Sequence, residues 1–239
     1  MRKPLVLLIF LTMLSLVALQ ILTYKPPTEA YLALQDQFET YLAKDLNTDD
    51  NFVNYLNNLE LEHALENVKI TVVYNLEETT LSGFIVFIDD ANVYVVTQSD
   101  YFPTFGINSI QIYDYKNRSE TGRVVARDTT NHLALIKFHA SNYDDLKEIS
   151  YASTIPLENE IISSISNNNY ILNHISLGIF GTLLENEMFY DFEMENSSQA
   201  IGSSIYDINL SLIGIRLYID DQYVMLQYSD VKNFVELYV

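Results

Sequence analysis

The period of apolar positions changes twice along the chain. Behind Arg2 and Lys3, residues 4–23 form an uncharged, mostly apolar run, about long enough to cross a ~30 Å hydrocarbon core. After the stiff Lys25-Pro26-Pro27 break the period becomes helical. Tyr31, Leu34, Phe38, Tyr41 and Leu42 recur at helical spacing, and after the turn-like Asn47-Thr48-Asp49-Asp50 the residues Phe52, Val53, Leu56, Leu59 and Leu61 continue an apolar face. These helices either pack on the C-terminal part of the chain or form a stalk that associates with a copy or partner. From residue 69 the pattern becomes short β-branched and aromatic runs at 70–74, 83–88, 93–97, 110–115, 122–126 and 133–138. A second set comes at 161–165, 175–184, 188–192, 205–208, 212–218 and 223–227, with a capped helical segment over 229–237. Turn formers such as Asp89-Asp90-Ala91-Asn92 and Lys116-Asn117-Arg118 separate the runs. Two sets of about six strands and a closing helix predict a mainly β domain, a barrel or sandwich. The organisation expected is residues 1–24 as a membrane segment, 25–66 as a helical stalk or packing segment, and 67–239 as the β domain.

Charge narrows the partners. The 239 residues carry 13 Lys and Arg against 32 Asp and Glu, a net charge of −19. Neutralising phosphates takes clustered cations, so nucleic acid is not an expected partner. The absence of cysteine removes disulfides, thiolate metal sites, a Cys nucleophile and a lipidated cysteine. The positive-inside rule puts Arg2 and Lys3 in the cytoplasm and the rest outside. The apolar run is long, and Val17-Ala18-Leu19-Gln20 is a poor cleavage site, which favours a single-pass anchor; cleavage would instead give a secreted domain. Without Arg2 and Lys3 the exported part holds 11 basic and 32 acidic residues, net −21, and is repelled by anionic headgroups.

Within the β region the motifs have a familiar order. Ser82-Gly83-Phe84-Ile85-Val86-Phe87 with Val93-Tyr94-Val95-Val96-Thr97, then Gly122-Arg123-Val124-Val125-Ala126-Arg127-Asp128 and Leu133-Ala134-Leu135-Ile136-Lys137-Phe138, resemble the first half of a trypsin-like serine protease of the HtrA/DegP type. Ser176-Leu177-Gly178-Ile179-Phe180-Gly181, Leu212-Ile213-Gly214-Ile215 and residues 222–237 resemble its second half. The resemblance runs from about Lys69 to Val239, with no PDZ domain following. It implies a trypsin-like double β-barrel with an N-terminal transmembrane helix, a short helical segment and a C-terminal helix.

Hydrolysis on that scaffold needs a Ser activated by a His, an Asp that orients the His, and two backbone N–H donors for the oxyanion. The resemblance puts Asp100 in the place of the general-base His and His132 in the place of the orienting Asp. Counting back from Gly214 without gaps puts Ile201 in the place of the nucleophile, with Gln199 and Ala200 before it and Gly202-Ser203 in the double-glycine place. Isoleucine has no nucleophilic atom. A two-residue deletion in the following hairpin would instead bring Ser203 into place, as a fallback nucleophile served only by a carboxylate, a weak base for a hydroxyl. The exchanged pair has two readings: Asp100 and His132 still hydrogen-bond across the old cleft, with polar atoms within ~4.5 Å, or each drifted independently once catalysis was lost.

The expectation is therefore a membrane-anchored, extracytoplasmic pseudoprotease that binds a peptide or protein of the cell envelope, an active relative, or a second copy. Its inherited cleft would receive an extended peptide as an added strand. A surviving hydrolase using Ser203 and a purely structural envelope protein are the alternatives. No cofactor is expected, and no metal: His63, His139 and His174 lack ligand spacing, and Asp89-Asp90 and Asp220-Asp221 fit hairpin tips. The 18 tyrosines fall mostly in strand-like runs, where sheet packing accounts for them. Asn117, Asn196 and Asn209 stand in N-glycosylation sequons.

Overall fold

A computed structural model describes residues 50–89, 92–140, 145–167, 172–185, 188–195 and 200–239. The expected membrane segment and the first helical stretch lie outside the described residues. Among those described, no helix is long and apolar enough to cross a membrane.

The described residues are mainly β, with one helix before the strands and one after them. Helix α1 (Asp50–His63) leads through a 3-10 turn (Ala64–Glu66) into β1 (Asn67–Tyr74), β2 (Glu77–Asp89), β3 (Asn92–Gln98), β4 (Ile107–Tyr113), β5 (Ser119–Thr121), β6 (Arg123–Asp128) and β7 (Leu133–His139). The second set is β8 (Ile161–Ser166), β9 (His174–Leu183), β10 (Phe189–Met194), β11 (Ser204–Tyr206), β12 (Leu212–Ile219) and β13 (Gln222–Gln227), closed by helix α2 (Tyr228–Glu236). The first set forms a curved seven-stranded sheet in the order β5-β4-β1-β2-β3-β7-β6, and the second a closed six-stranded barrel in the order β10-β13-β12-β11-β8-β9. All of these pairings are antiparallel.

Only Gly122 separates β5 from β6, and its N–H donates to Ile110 O at 2.9 Å. The two ends of the first sheet therefore meet at one bent segment. With β5 and β6 counted together, strands one to six of each set follow the same circular order: one, two, three, six, five, four. The two halves repeat one connectivity.

Apolar alternation fills three clusters. One lies within the first sheet (Ile70, Ile85, Val95, Ile136 and Ile201 among others), one within the barrel (Ile162, Ile205, Ile213 and Met225), and the largest between them. The third takes Phe84 and Leu135 from the sheet, Ile215 and Leu226 from the barrel, and Val231 and Phe234 from α2. In α2, Val231, Phe234 and Val235 sit at helical spacing and are all buried.

Helix α1 packs on the barrel and does not stand off as a stalk. Tyr55, Leu59 and His63 recur every fourth residue and share one face. Tyr55 OH donates to Ser163 Oγ at 3.1 Å, Leu59 is fully buried, and the His63 ring lies 4.5 Å from the Tyr206 ring. A sealed polar network completes the contact. His63 Nδ1 meets Glu66 Oε2 at 2.7 Å, Asn67 Nδ2 donates to Tyr206 OH at 2.9 Å, and Ser204 Oγ donates to Asn67 Oδ1 at 2.7 Å. Burial, with Glu66 beside it, pushes the Tyr206 phenol far above its ordinary value.

The connector between the halves is bonded on both sides. Lys147 N–H donates to Leu65 O at 3.1 Å and Ile149 N–H to Ile85 O at 2.9 Å. Ala152 N–H then donates to Leu212 O at 2.9 Å and Leu212 N–H to Ser150 O at 2.8 Å, which makes a short parallel bridge between Tyr151 and Leu212.

Candidate functional site

The residues singled out by the resemblance converge at the junction of the sheet and the barrel. Strand β3 ends at Gln98 and the chain turns through a 3-10 segment, Ser99–Tyr101, with Ser99 N–H donating to His132 O at 2.8 Å. The Asp128 carboxylate caps its own turn, accepting from Thr130 N–H at 2.9 Å and Asn131 N–H at 3.0 Å. That turn delivers His132 in a left-handed conformation, φ 57°. The His132 Nδ1 lies 3.0 Å from both Asp100 carboxylate oxygens. Asp100 and His132 therefore do face each other, well inside the distance set for a hydrogen-bonded pair. The side chains are 44% and 27% exposed respectively, so water screens the pair and its electrostatic worth is small.

The strand-end glutamine, which the sequence did not single out, is the third member of this chain. Gln98 is only 1% exposed. Its Nε2 donates to Asp100 Oδ2 at 2.5 Å and to Tyr218 O at 2.8 Å, while its Oε1 accepts from Tyr218 N–H at 2.8 Å. Tyr101, Tyr218 and Tyr223 pack against the cluster that contains Ile201. Burial, then the Asp100 charge, raises the Tyr101 phenol pKa.

Ile201 lies in a loop threaded between sheet and barrel. Its carbonyl accepts from Ser82 N–H at 2.9 Å, and its side chain is 3% exposed within the sheet's own core. Gly202 follows at φ +80°, with a notional Cβ only 2.3 Å from both Ser82 O and Thr97 Oγ1. Only glycine fits that combination. Ser203 is fully buried, its Oγ 2.9 Å from Ser164 Oγ, and its carbonyl accepts from Arg216 N–H at 2.9 Å. The fallback nucleophile thus faces another serine inside the barrel and not the Asp100–His132 pair. Gln199 lies outside the described residues.

A second polar group lies inside the barrel. Arg216 is fully buried, with its guanidinium 4.5 Å from the Tyr223 ring and 5.3 Å from the Phe192 ring, and Nη2 donates to Glu195 O at 2.8 Å. Burial lowers its pKa to about 10, against the opposing pull of Tyr223 and Glu195. The one sequence signal was an arginine inside the apolar run Leu212-Ile213-Gly214-Ile215-Arg216-Leu217.

The weaker candidates are scattered. Among the described residues no group of three or more His, Asp or Glu side chains converges on a common point. His63 belongs to the sealed network below α1. Asp220 and Asp221 form the tip of the β12–β13 hairpin at φ 48° and 64°, and Asp90 lies outside the described residues. Asn117 and Asn209 are exposed, and Asn196 is outside the described residues. A separate open groove of about 520 Å³ is lined by Asp128, Asp230, Glu236 and neighbouring residues of α2.

No protein-family model matches the chain, and no curated protein matches it in sequence.

Proposed function

We propose that this chain is a trypsin-like double β-barrel of the HtrA/DegP type that has lost hydrolysis and works outside the cytoplasm by binding a peptide or protein. Residues 1–24 would hold it to the membrane, a reading that rests on Arg2, Lys3 and the apolar run behind them. The repeated strand connectivity supports the double-barrel assignment. So does the meeting of Asp100, His132 and the Ile201 loop at the junction of the two halves.

One observation carries the loss of hydrolysis: a buried isoleucine stands where an exposed hydroxyl would be needed. Nucleophilic attack requires an oxygen within reach of both base and substrate. Ile201 supplies none, and the Ser203 hydroxyl is sealed against Ser164. Among the described residues no serine hydroxyl is hydrogen-bonded to the Asp100–His132 pair. What remains is a surface between two rigid barrels, and fold alone does not name its ligand.

Labelling the purified protein with a fluorophosphonate serine probe is the direct test. The expected result is no labelling. Labelling abolished by Ser203→Ala would establish the hydrolase alternative instead. A silent probe together with failure to retain any extended peptide would favour the structural envelope protein.

A further inference from the structure

The barrel offers an added strand little room at this junction. On β12, Arg216 already exchanges both backbone bonds with the 202–203 loop: Gly202 N–H donates to Arg216 O at 2.8 Å, and Arg216 N–H donates to Ser203 O at 2.9 Å. Two residues further on, Tyr218 turns its N–H and C=O to the same side, as strand geometry requires. The Asp220-Asp221 hairpin then reverses the chain, with Ile219 opposite Gln222. Among the described residues of this edge, Tyr218 is the one left to pair.

Gln98 takes that pairing. A carboxamide is chemically a peptide group, with one acceptor oxygen and N–H donors. Oε1 on Tyr218 N–H and Nε2 on Tyr218 C=O, both at 2.8 Å, are the two bonds that a residue of an antiparallel neighbour would make. The second Nε2 hydrogen goes to Asp100, and His132 holds the same carboxylate. Flipping the amide would set N–H against N–H at Tyr218, so the network fixes its orientation.

We propose that Gln98 is an internal peptide mimic, latched by Asp100 and His132, that closes the backbone site on β12 to which an extended peptide would add. The inference rests on the binding function proposed above and names its ligand class: extended main chain, or a primary carboxamide standing in for it. It also gives the two exchanged positions a present role. Asp100 and His132 are positioning residues for Gln98, and a peptide enters only when that side chain swings out.

The test compares the full chain in detergent with its Gln98→Ala and Asp100→Ala variants, using acetamide and a blocked, fluorescent Thr/Ser-rich decapeptide as probes. Expected results are a rise in the Gln98→Ala melting temperature with acetamide that wild type does not show, and decapeptide binding roughly 10- to 100-fold tighter than to wild type, the worth of one to two hydrogen bonds. Asp100→Ala should give a smaller gain. Equal decapeptide affinity in wild type and Gln98→Ala overturns the latch and leaves the binding function standing. Acetamide rescue with no decapeptide bound by either protein supports the latch and sinks the binding function. No response of Gln98→Ala to either probe overturns the latch. Should Gln98→Ala not fold, hydrogen exchange decides: the latch requires Tyr218 N–H to be protected in wild type and selectively exposed in Asp100→Ala, with Arg216 N–H unchanged. A freely exchanging Tyr218 N–H in wild type refutes it.

Discussion

Replacing Ile201 by serine supplies the hydroxyl on which the proposed loss of hydrolysis turns, and on that proposal no reaction follows. The side chain is 3% exposed and packed within the cluster that includes Val95 and Phe102. Exposing or deleting an isoleucine buried to this degree forfeits about 1.5–3 kcal/mol of burial. A serine hydroxyl at the same place adds a desolvated polar group without a designed partner, worth about 1–3 kcal/mol. The sum is about 2.5–6 kcal/mol, a large part of the 5–15 kcal/mol typical of a folded domain. Urea unfolding monitored by tyrosine fluorescence should show the midpoint fall with the slope unchanged. Fluorophosphonate should still not label the variant, because a serine at this place is buried in the sheet's core and the His132 Nδ1 is already engaged by the Asp100 carboxylate. Stability within 1 kcal/mol of wild type would refute the assignment of Ile201 as a packed residue. Stoichiometric labelling of Ile201→Ser would refute the account of why the site is inert.

Gly202→Ala should lower the melting temperature by about 5 °C or more. The left-handed φ alone costs about 1–2 kcal/mol, the new Cβ meets Ser82 O and Thr97 Oγ1, and each kcal/mol moves a domain of this size by about 2–4 °C; a calorimetric scan within 1 °C of wild type would contradict the loop geometry. Asp145→Asn should cost about 1–2 kcal/mol at neutral pH, because Asp145 accepts from Tyr115 OH and Arg118 Nη2, both at 2.6 Å, and from Lys116. Burial opposes ionisation of Asp145, but the hydrogen bonds from Arg118, Lys116 and Tyr115 outweigh it and hold the carboxyl well below the usual carboxylate range. A depressed native pKa stabilises above the unfolded value near 3.9 and loses that contribution as pH falls below it. The melting-temperature gap between wild type and Asp145→Asn should therefore shrink between pH 5 and pH 3, and a gap that widens there would contradict the sign.

The strands were legible where β-branched residues alternate without interruption, as in Val93-Tyr94-Val95-Val96 and Leu133-Ala134-Leu135-Ile136. The first half of β2 was not. Its hairpin turns on Asn75 and Leu76 at φ 50° and 70°, and a leucine in a left-handed turn, 91% exposed, gives no turn signal, so Glu77-Glu78-Thr79-Thr80 passed for loop. The site divides in the same way. Asp100, His132 and Ile201 were singled out by their order among motifs, and the structure brings Asp100 and His132 within 3.0 Å of each other. Gln98 was missed because a polar residue ending a strand is ordinary, and its significance lies in burial and in a backbone 120 positions away in the chain. The network of His63, Glu66 and Asn67 was hidden likewise: polar residues at and just after a helix end suggest a solvated surface until Tyr206 covers them.

The bonded connector between the two halves constrains how the molecule can move. Residues 147–152 are tied to Leu65 and Ile85 on one side and to Leu212 on the other. A segment so secured adds no slack between the halves, and rotation of one half against the other would also have to strip the shared cluster that packs Phe84 and Leu135 on Ile215 and Leu226. Opening by a swing of one half is thereby opposed by the burial of that cluster. Admission to the junction by side-chain rotation costs none of that burial and proceeds on its own faster timescale.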